Sequence, residues 1–183
     1  MLDVVRGLLA LWPAWLLVGA FILVEFLMVR IEQWTEQWID GARFARAGLK
    51  DIKRMSGEDF EKYLEHLFRG VGYGVERTPY QGDYGVDLVL TTPKGRRIAV
   101  QAKRWKGKKV RVDAVQQVVG GAAHYGCHET IVVATSGYTE QARNLARSNN
   151  TRLLGLRELG EYMDQVKARQ AVAKAQKPLR AAR

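Results

Sequence analysis

Cysteine is almost missing from this chain: Cys127 stands alone among 183 residues. A disulfide framework and a cysteine zinc cluster are both excluded, and the single thiol reads as a small core residue in a reducing compartment. Histidine is nearly as scarce. His66, His124 and His128 show no metal-ligand spacing, which leaves them as ordinary side chains. No internal repeat is present. Acid is what most of the chain is short of. Residues 1–40 hold two Lys/Arg against five Asp/Glu, a net of −3, whereas the other 143 hold 27 against 14, a net of +13. A globular part that basic expects a polyanion, either nucleic acid or an anionic membrane surface. With 47% hydrophobic residues, the chain can bury one core and not obviously two.

The long hydrophobic run lies near the start. Leu8 to Val29 is a 22-residue stretch interrupted only by Glu25. At about 1.5 Å per residue it would cross a hydrocarbon core of about 30 Å. It is too long for the apolar region of a cleaved signal peptide, and no small-x-small site follows, so an uncleaved anchor is expected. Trp12 and Trp15 near one end, with Trp34 and Trp38 past the other, suit two interfacial belts. Ile31, Trp34, Thr35, Trp38 and Ile39 recur at helical spacing and predict a continuing helix with one apolar face along the surface. Glu25 lies within a turn or so of the charged end and reads as a snorkelling side chain. Arg43, Arg46, Lys50, Lys53 and Arg54 follow the run while only Arg6 precedes it. That bias places the rest of a single-pass inner-membrane protein in the cytoplasm. The expected organisation is a transmembrane anchor over 1–30, an amphipathic juxtamembrane segment and linker over 31–50, a globular domain over 51–166 and a basic tail over 167–183.

From residue 51 the pattern is one α/β unit. Ser56 is a helix N-cap with Asp59 as the capping-box acid, and Phe60, Leu64, Leu67, Phe68 and Val71 share one face of the helix that follows. "GYGVERT" predicts a first strand. Val86–Leu90 and Ile98–Val100 predict two buried strands joined by a tight "PKG" turn. Val112–His124 predicts a helix with Val115, Val118 and Val119 inward, "TIVVAT" a buried strand, and "YTEQARNLARSNN" a helix capped by Thr139. "RLLGL" and "RELGEYMDQVKAR" close the fold, and the Ala/Lys/Arg/Gln-rich stretch from Ala168 reads as frayed helix or disorder.

The stretch "GVDLVLTTPKGRRIAVQAKRWKGKKVR" carries polar groups where buried strands should hold none: Asp87 in the first, Gln101 and Lys103 at the end of the second. Residues two apart on a strand face the same side, so Gln101 and Lys103 point together, and pairing across the turn brings Asp87 beside them. A carboxylate, a neutral amide oxygen and the Ala102 carbonyl are oxygen ligands of the kind a divalent metal takes at a phosphodiester. Lys103 would then orient the attacking water or stabilise charge on the transition-state phosphate. "KRWKGKKVR", residues 103–111, has six basic residues in nine and no acid. Arg104, Lys106, Lys108 and Lys109 are candidates for neutralising backbone phosphates, with Trp105 against sugar or base.

These residues carry a resemblance. "MSGEDFEKYLEHLFRGVGYGVERTPYQGDYGVDLVL", "RRIAVQAKRWKGKKVRVDAVQQVVGGAAHYG" and "TIVVATSGYTEQARNLA" closely resemble the Mrr-type restriction endonuclease catalytic domain, a branch of the PD-(D/E)xK nucleases, from about Met55 to Leu159. The resemblance implies a restriction-endonuclease-like core, a mixed central sheet flanked by helices, here behind one transmembrane helix. It implies Mg²⁺ as cofactor, Asp87 as metal carboxylate, Gln101 as the second metal-side position and Lys103 as catalytic lysine. The first-helix acid falls on Glu61, in a metal-site or water-positioning role. Helix geometry supports that choice, because Glu61 sits roughly 70° from the centre of the apolar face while Glu58 and Glu65 turn further toward solvent. Many relatives place an acid where Gln101 stands. Glutamine is usual in the Mrr branch, and it removes a charge that would strengthen metal binding. Gln116 and Gln117 resemble the family's second-helix glutamines, supporting the site or touching DNA. Asp83 reads as a turn residue before a ligand.

The expected function is therefore a membrane-tethered, Mg²⁺-dependent DNA endonuclease restricting foreign or modified DNA. A homodimer would supply two active sites for two strands. The alternatives are a repair or junction-resolving nuclease on the same fold, a non-catalytic tethered DNA-binding module, and a peripheral membrane-binding domain.

Overall fold

The computed structural model describes the backbone of residues 12–79 and 82–181, with side chains for 16–31, 43–44, 47–79 and 82–175. Two units divide after residue 43, Met1–Arg43 and Phe44–Arg183. Helix α1 runs Trp12–Arg46, and its described side chains from Leu16 to Ile31 are all exposed. Among the described residues no helix is long and apolar enough to cross a membrane. The expected transmembrane helix is thus not shown. Its exposed apolar side chains, Leu16–Val29, cover roughly 21 Å of helix against a hydrocarbon core of about 30 Å. The upstream part of the expected run, from Leu8, lies outside the described side chains, as do the four tryptophans of the expected belts and the surface face from Trp34 to Ile39.

The expected linker is partly helical. Residues 40–46 continue α1, and a break at Ala47–Gly48 precedes the short helix α2, Leu49–Ile52. A glycine inside a helix costs about 1 kcal/mol. Phe44 outweighs Gly41: it is 3% exposed in the core of the second unit, 5.9 Å from the Tyr63 ring and 5.4 Å from His66. Burial of such a ring contributes about 1.5–3 kcal/mol.

Helix α3, Gly57–Val71, begins where Ser56 accepts a hydrogen bond from the Asp59 amide at 3.0 Å. That side-chain oxygen satisfies one of the orphan amides of the first turn. Strands β1 (Gly74–Arg77), β2 (Leu88–Thr91) and β3 (Arg97–Lys103) form an antiparallel meander. Helix α4 (Val112–Ala122) leads to β4 (Glu129–Ala134), helix α5 (Glu140–Ser148) to β5 (Arg152–Leu154), and helix α6 spans Leu156–Ala181. β3, β4 and β5 pair in parallel, so the five-stranded sheet of order β1-β2-β3-β4-β5 is mixed. The stretch expected to fray is helical to Ala181, in keeping with the high helix propensity of Ala, Lys, Arg and Gln.

Strand alternation sorts the core into two layers. Leu88, Leu90, Ile98, Val100, Ile131 and Val133 meet α3 and α6 on one face. Val89, Ala99, Val132 and Ala134 meet α4 and α5 on the other. Gln101 and Lys103 share the parity of Ala99, and β3 passes from apolar to polar as it reaches the sheet edge.

Two glycines bring the loop before β2 down onto α4. Gly85 has φ +77°, and a side chain there would run into Gln117, whose backbone lies 3.0 Å from the added Cβ. A Cβ on Gly121 would collide with the Tyr84 carbonyl and lie 2.9 Å from Val86 Cγ2. Gly120, one position earlier, faces open space. Gly121→Ala is therefore expected to destabilise the fold by about 1–3 kcal/mol through overpacking. Gly120→Ala should stabilise it by about 0.5–1 kcal/mol through helix propensity. Urea denaturation of the two variants checks the pair, and equal shifts of the same sign would refute the packing.

Candidate active site

Asp87 lies one residue before β2 and is held on both sides. Its amide donates to the Val100 carbonyl at 2.8 Å, and its carbonyl accepts from the Thr78 amide at 3.1 Å. Past that point the backbone ladder stops and the side chain takes over: Oδ2 accepts the Ala102 amide at 2.5 Å and the Gln101 side-chain amide. Gln101 is 3% exposed, and its Oε1 is buried with no hydrogen-bond partner among the described residues. Such an orphaned acceptor costs about 1–3 kcal/mol and calls for a cation or a donor.

The electrostatics point the same way. Burial pushes the Asp87 carboxyl up to about 6, the Ala102 amide and the Lys103 charge pull against it, and Asp83 pushes with burial. Glu61, half-buried on α3, is raised to about 7, first by burial and then by the Asp87 charge, with Arg77 opposing. Two half-buried or buried carboxyls that feel one another, each raised first by burial, mark a candidate functional site.

Asp87, Gln101, Lys103 and Glu61 are thus brought together from a loop, one strand and one helix. Among the described residues no three His/Cys/Asp/Glu side chains are grouped to hold a metal. A divalent ion here would rest on Asp87 and the free Gln101 Oε1, with water and substrate oxygens completing the shell. Mg²⁺ suits that donor set, since it keeps several waters and takes few protein carboxylates. The residues fit the ion.

The basic loop extends from the same strand. Lys106, Lys108 and Lys109 are exposed, and Trp105 is half-buried with its carbonyl 3.3 Å from the Thr135 hydroxyl. Val110 anchors the far end, its amide 2.8 Å from the Gly137 carbonyl. Arg104, at the start of the loop, is half-buried: Nη2 lies 3.4 Å from the Arg54 carbonyl, and Nε is buried without a hydrogen-bond partner among the described residues. Gln116 and Gln117 are both exposed, and Gln117 is the one beneath Gly85 and so beside the Asp87 loop.

Two further charges bear on the site, and the role of each follows only from the fold. Asp83 does act in the turn, accepting the Gly85 amide at 3.0 Å, yet its charge also raises both Glu61 and Asp87. Arg77, at the end of β1, pairs in register with Leu88 and is the cation nearest in effect to Glu61. Extending the meander register by one strand would have pointed to it.

A family profile described as "Restriction endonuclease", of the Mrr catalytic type, matches residues 52–163. The chain is 32% identical over 107 residues to the type IV methyl-directed restriction enzyme EcoKMrr of Escherichia coli strain K12, covering 55% of this chain and 35% of that one. The chain therefore spans about a third of the length of that curated relative. Among solved structures it resembles the DNA modification-dependent restriction endonuclease AspBHI, with TM-score 0.50 and 16% identity over 75% of this chain and 40% of the other. A repair endonuclease from Pyrococcus abyssi aligns with TM-score 0.43 and 21% identity over 55% of this chain and 46% of that one. Likeness at such identity concerns the fold alone. With the family profile covering most of the chain, and the carboxylate, glutamine and lysine gathered at one sheet edge, the chain belongs to the Mrr-type restriction endonuclease family.

Proposed function

We propose that the second unit hydrolyses DNA phosphodiester bonds with the help of a divalent metal, Mg²⁺ by the chemistry of its donors, and acts in restriction of foreign or modified DNA. The observation that carries this reading is the Asp87–Gln101 pair. The glutamine spends its amide on the carboxylate and keeps its oxygen buried and unmatched. Membership of a restriction endonuclease family supports the reaction class, and the methyl-directed relative supports the substrate.

The protein's own groups divide the work. Asp87 and Gln101 offer the oxygens that hold the ion, which supplies Lewis-acid stabilisation of the phosphate when bound. Lys103, two residues from Gln101 on the same strand face, orients the attacking water and stabilises the charge that grows on the phosphate oxygens. Glu61, poised at about 7, takes a proton from that water. Lys106, Lys108, Lys109 and Trp105 receive the flanking backbone, and two chains acting together would cut both strands.

Asp87→Asn and Lys103→Ala should each lower nicking of supercoiled plasmid by about 100-fold or more while DNA binding persists. EDTA should abolish nicking by the wild type. Parallel assays on methylated and unmethylated plasmid test the restriction role, and equal cleavage by wild type and both variants would sink the mechanism.

The raised carboxyls also give a pH signature. Both groups bind protons more tightly folded than unfolded. Their contribution to stability is present in full below the ordinary carboxylate range and is lost as pH rises through about 6 and then about 7. Metal-free protein should therefore lose thermal stability from pH 4 to about 7.5, and added Mg²⁺ should raise Tm more at pH 8 than at pH 5. An unchanged Mg²⁺ effect across that range would contradict the assignment.

We further propose that α1 tethers this nuclease to the cytoplasmic membrane. Side chains such as Leu17, Phe21 and Phe26, exposed at 74%, 65% and 60%, support it, as does the apolar sequence running upstream to Leu8. The basic residues from Arg43 to Arg54 favour the cytoplasmic side. Full-length protein should resist carbonate extraction from membranes, whereas a fragment beginning at Phe44 should not sediment with them. Release of the full chain by carbonate would refute the anchor.

A further inference from the structure

β3, β4 and β5 run parallel, so their carboxyl ends share one edge of the sheet. Gln101 and Lys103 take the β3 part of that edge. The β4 and β5 part holds a cavity of about 500 Å³ that the mechanism above leaves unused. Residues 135–137, just past β4, line it, together with Gly155 after β5, Lys53 after α2 and Arg143 on α5. The cavity is joined to the active site through Thr135, whose amide donates to the Lys103 carbonyl at 3.2 Å and whose hydroxyl donates to the Trp105 carbonyl at 3.3 Å.

The charges within it are unequally matched. Glu158 accepts the Gly155 amide at 2.8 Å and pairs with Arg157 at 2.6 Å, so those two groups satisfy each other. Arg157 also lies 3.6 Å from Glu161. Lys53 and Arg143 belong to no ion pair among the described residues, and Arg143 stacks 5.8 Å from the centre of the Tyr138 ring. Ser136 adds a buried hydroxyl with no hydrogen-bond partner among the described residues. Two cations outside any ion pair among the described residues and an unmatched hydroxyl around an open volume suit a tetrahedral oxyanion with several acceptor oxygens.

We infer that this cavity is a second phosphate subsite. It receives a backbone phosphate of the strand that presents its scissile phosphate to Asp87, Gln101 and Lys103. Strands about 4.8 Å apart put the end of β5 roughly 10 Å from the end of β3. That is a few nucleotide steps at about 3.4 Å of axial rise each. The inference takes its ligand from the nuclease reading. The contacts it assigns are separate from those of catalysis.

The test measures binding of a fluorescein-labelled DNA duplex to the full-length chain in EDTA across a salt series. Lys53→Ala/Arg143→Ala is compared with Lys94→Ala/Lys174→Ala, which removes equal charge away from the cavity. Both cavity side chains are exposed, so the variant should fold. The cavity double should bind several-fold more weakly and reduce the slope of log K against log salt by about 0.9, the value for one phosphate contact. Ser136→Ala should weaken binding with the slope unchanged. In the plasmid assay with Mg²⁺, the cavity double should raise KM and leave kcat alone. Wild-type slope and affinity in the cavity double, an equal loss in the control double, or no duplex binding by the wild type would each overturn the subsite. A slope loss in the cavity double when the wild type cleaves nothing would leave the subsite standing and remove the nuclease reading. Cleavage by the wild type with an unchanged slope would do the reverse.

Discussion

A carboxylate standing in for the next rung of a β-ladder is the contact on which this site depends. The β2–β3 pairing ends at Leu88 and Val100, and the Ala102 amide beyond it would be left without an acceptor. Asp87 supplies one through Oδ2 at 2.5 Å, a bond strengthened by the charge on the oxygen. The same oxygen takes the Gln101 amide. One side chain therefore completes the sheet, orients the glutamine and places a carboxylate beside Lys103. Replacing it would cost backbone order as well as chemistry, which is why binding and stability need to be followed alongside activity in any variant at this position.

Such a contact needs a rigid approach, and packing supplies it. Gly85 and Gly121 let the loop before Asp87 lie against α4 with no side chain between. Core layers on both faces of β2 and β3 then hold the strand ends, with Leu88, Val89, Leu90, Ala99 and Val100 all nearly or fully buried. A loop pinned this way between a strand and a helix keeps its geometry better than a free loop. The basic segment 104–109 contrasts with this. It is tied down at Thr135 and Val110, and its lysines stay exposed, as the phosphate contacts proposed for them require.

Much of this arrangement is legible in the sequence because its signals are local. Apolar runs marked β2 and β3, the "PKG" turn set their antiparallel register, and that register brought Asp87 to Gln101 and Lys103. Ser56 and Thr139 announced their helices by side-chain chemistry alone, and both cap as expected. The spacing of Phe60, Leu64 and Phe68 placed Glu61 at the margin of the buried face, where its charge reaches Asp87. What stayed hidden depends on long-range geometry. Phe44 looked like part of a linker because its partners, Tyr63 and His66, lie some twenty residues away in sequence. The contact of Arg104 with the Arg54 carbonyl left no sign in the sequence because the two belong to different elements. Asp83 read first as a turn residue and second as a ligand; its charge acting on both Glu61 and Asp87 follows only from the fold.

Glutamine at position 101 then acquires a physical meaning. A second carboxylate there would face Asp87 Oδ2 within hydrogen-bond reach, and like charges at that distance cannot both ionise readily. The Asp87 carboxyl is already raised to about 6 by burial and Glu61 to about 7, so another acid would push the group further toward its neutral form. As an amide donor, Gln101 instead pulls Asp87 toward ionisation. The exchange sacrifices one unit of negative charge toward a metal and gains a carboxylate that is charged near neutral pH. On the proposed mechanism the ion is then held weakly by the protein alone, and phosphate oxygens of the bound substrate complete its shell. Metal and DNA would in that case bind with positive coupling, each strengthening the other's affinity by the same factor.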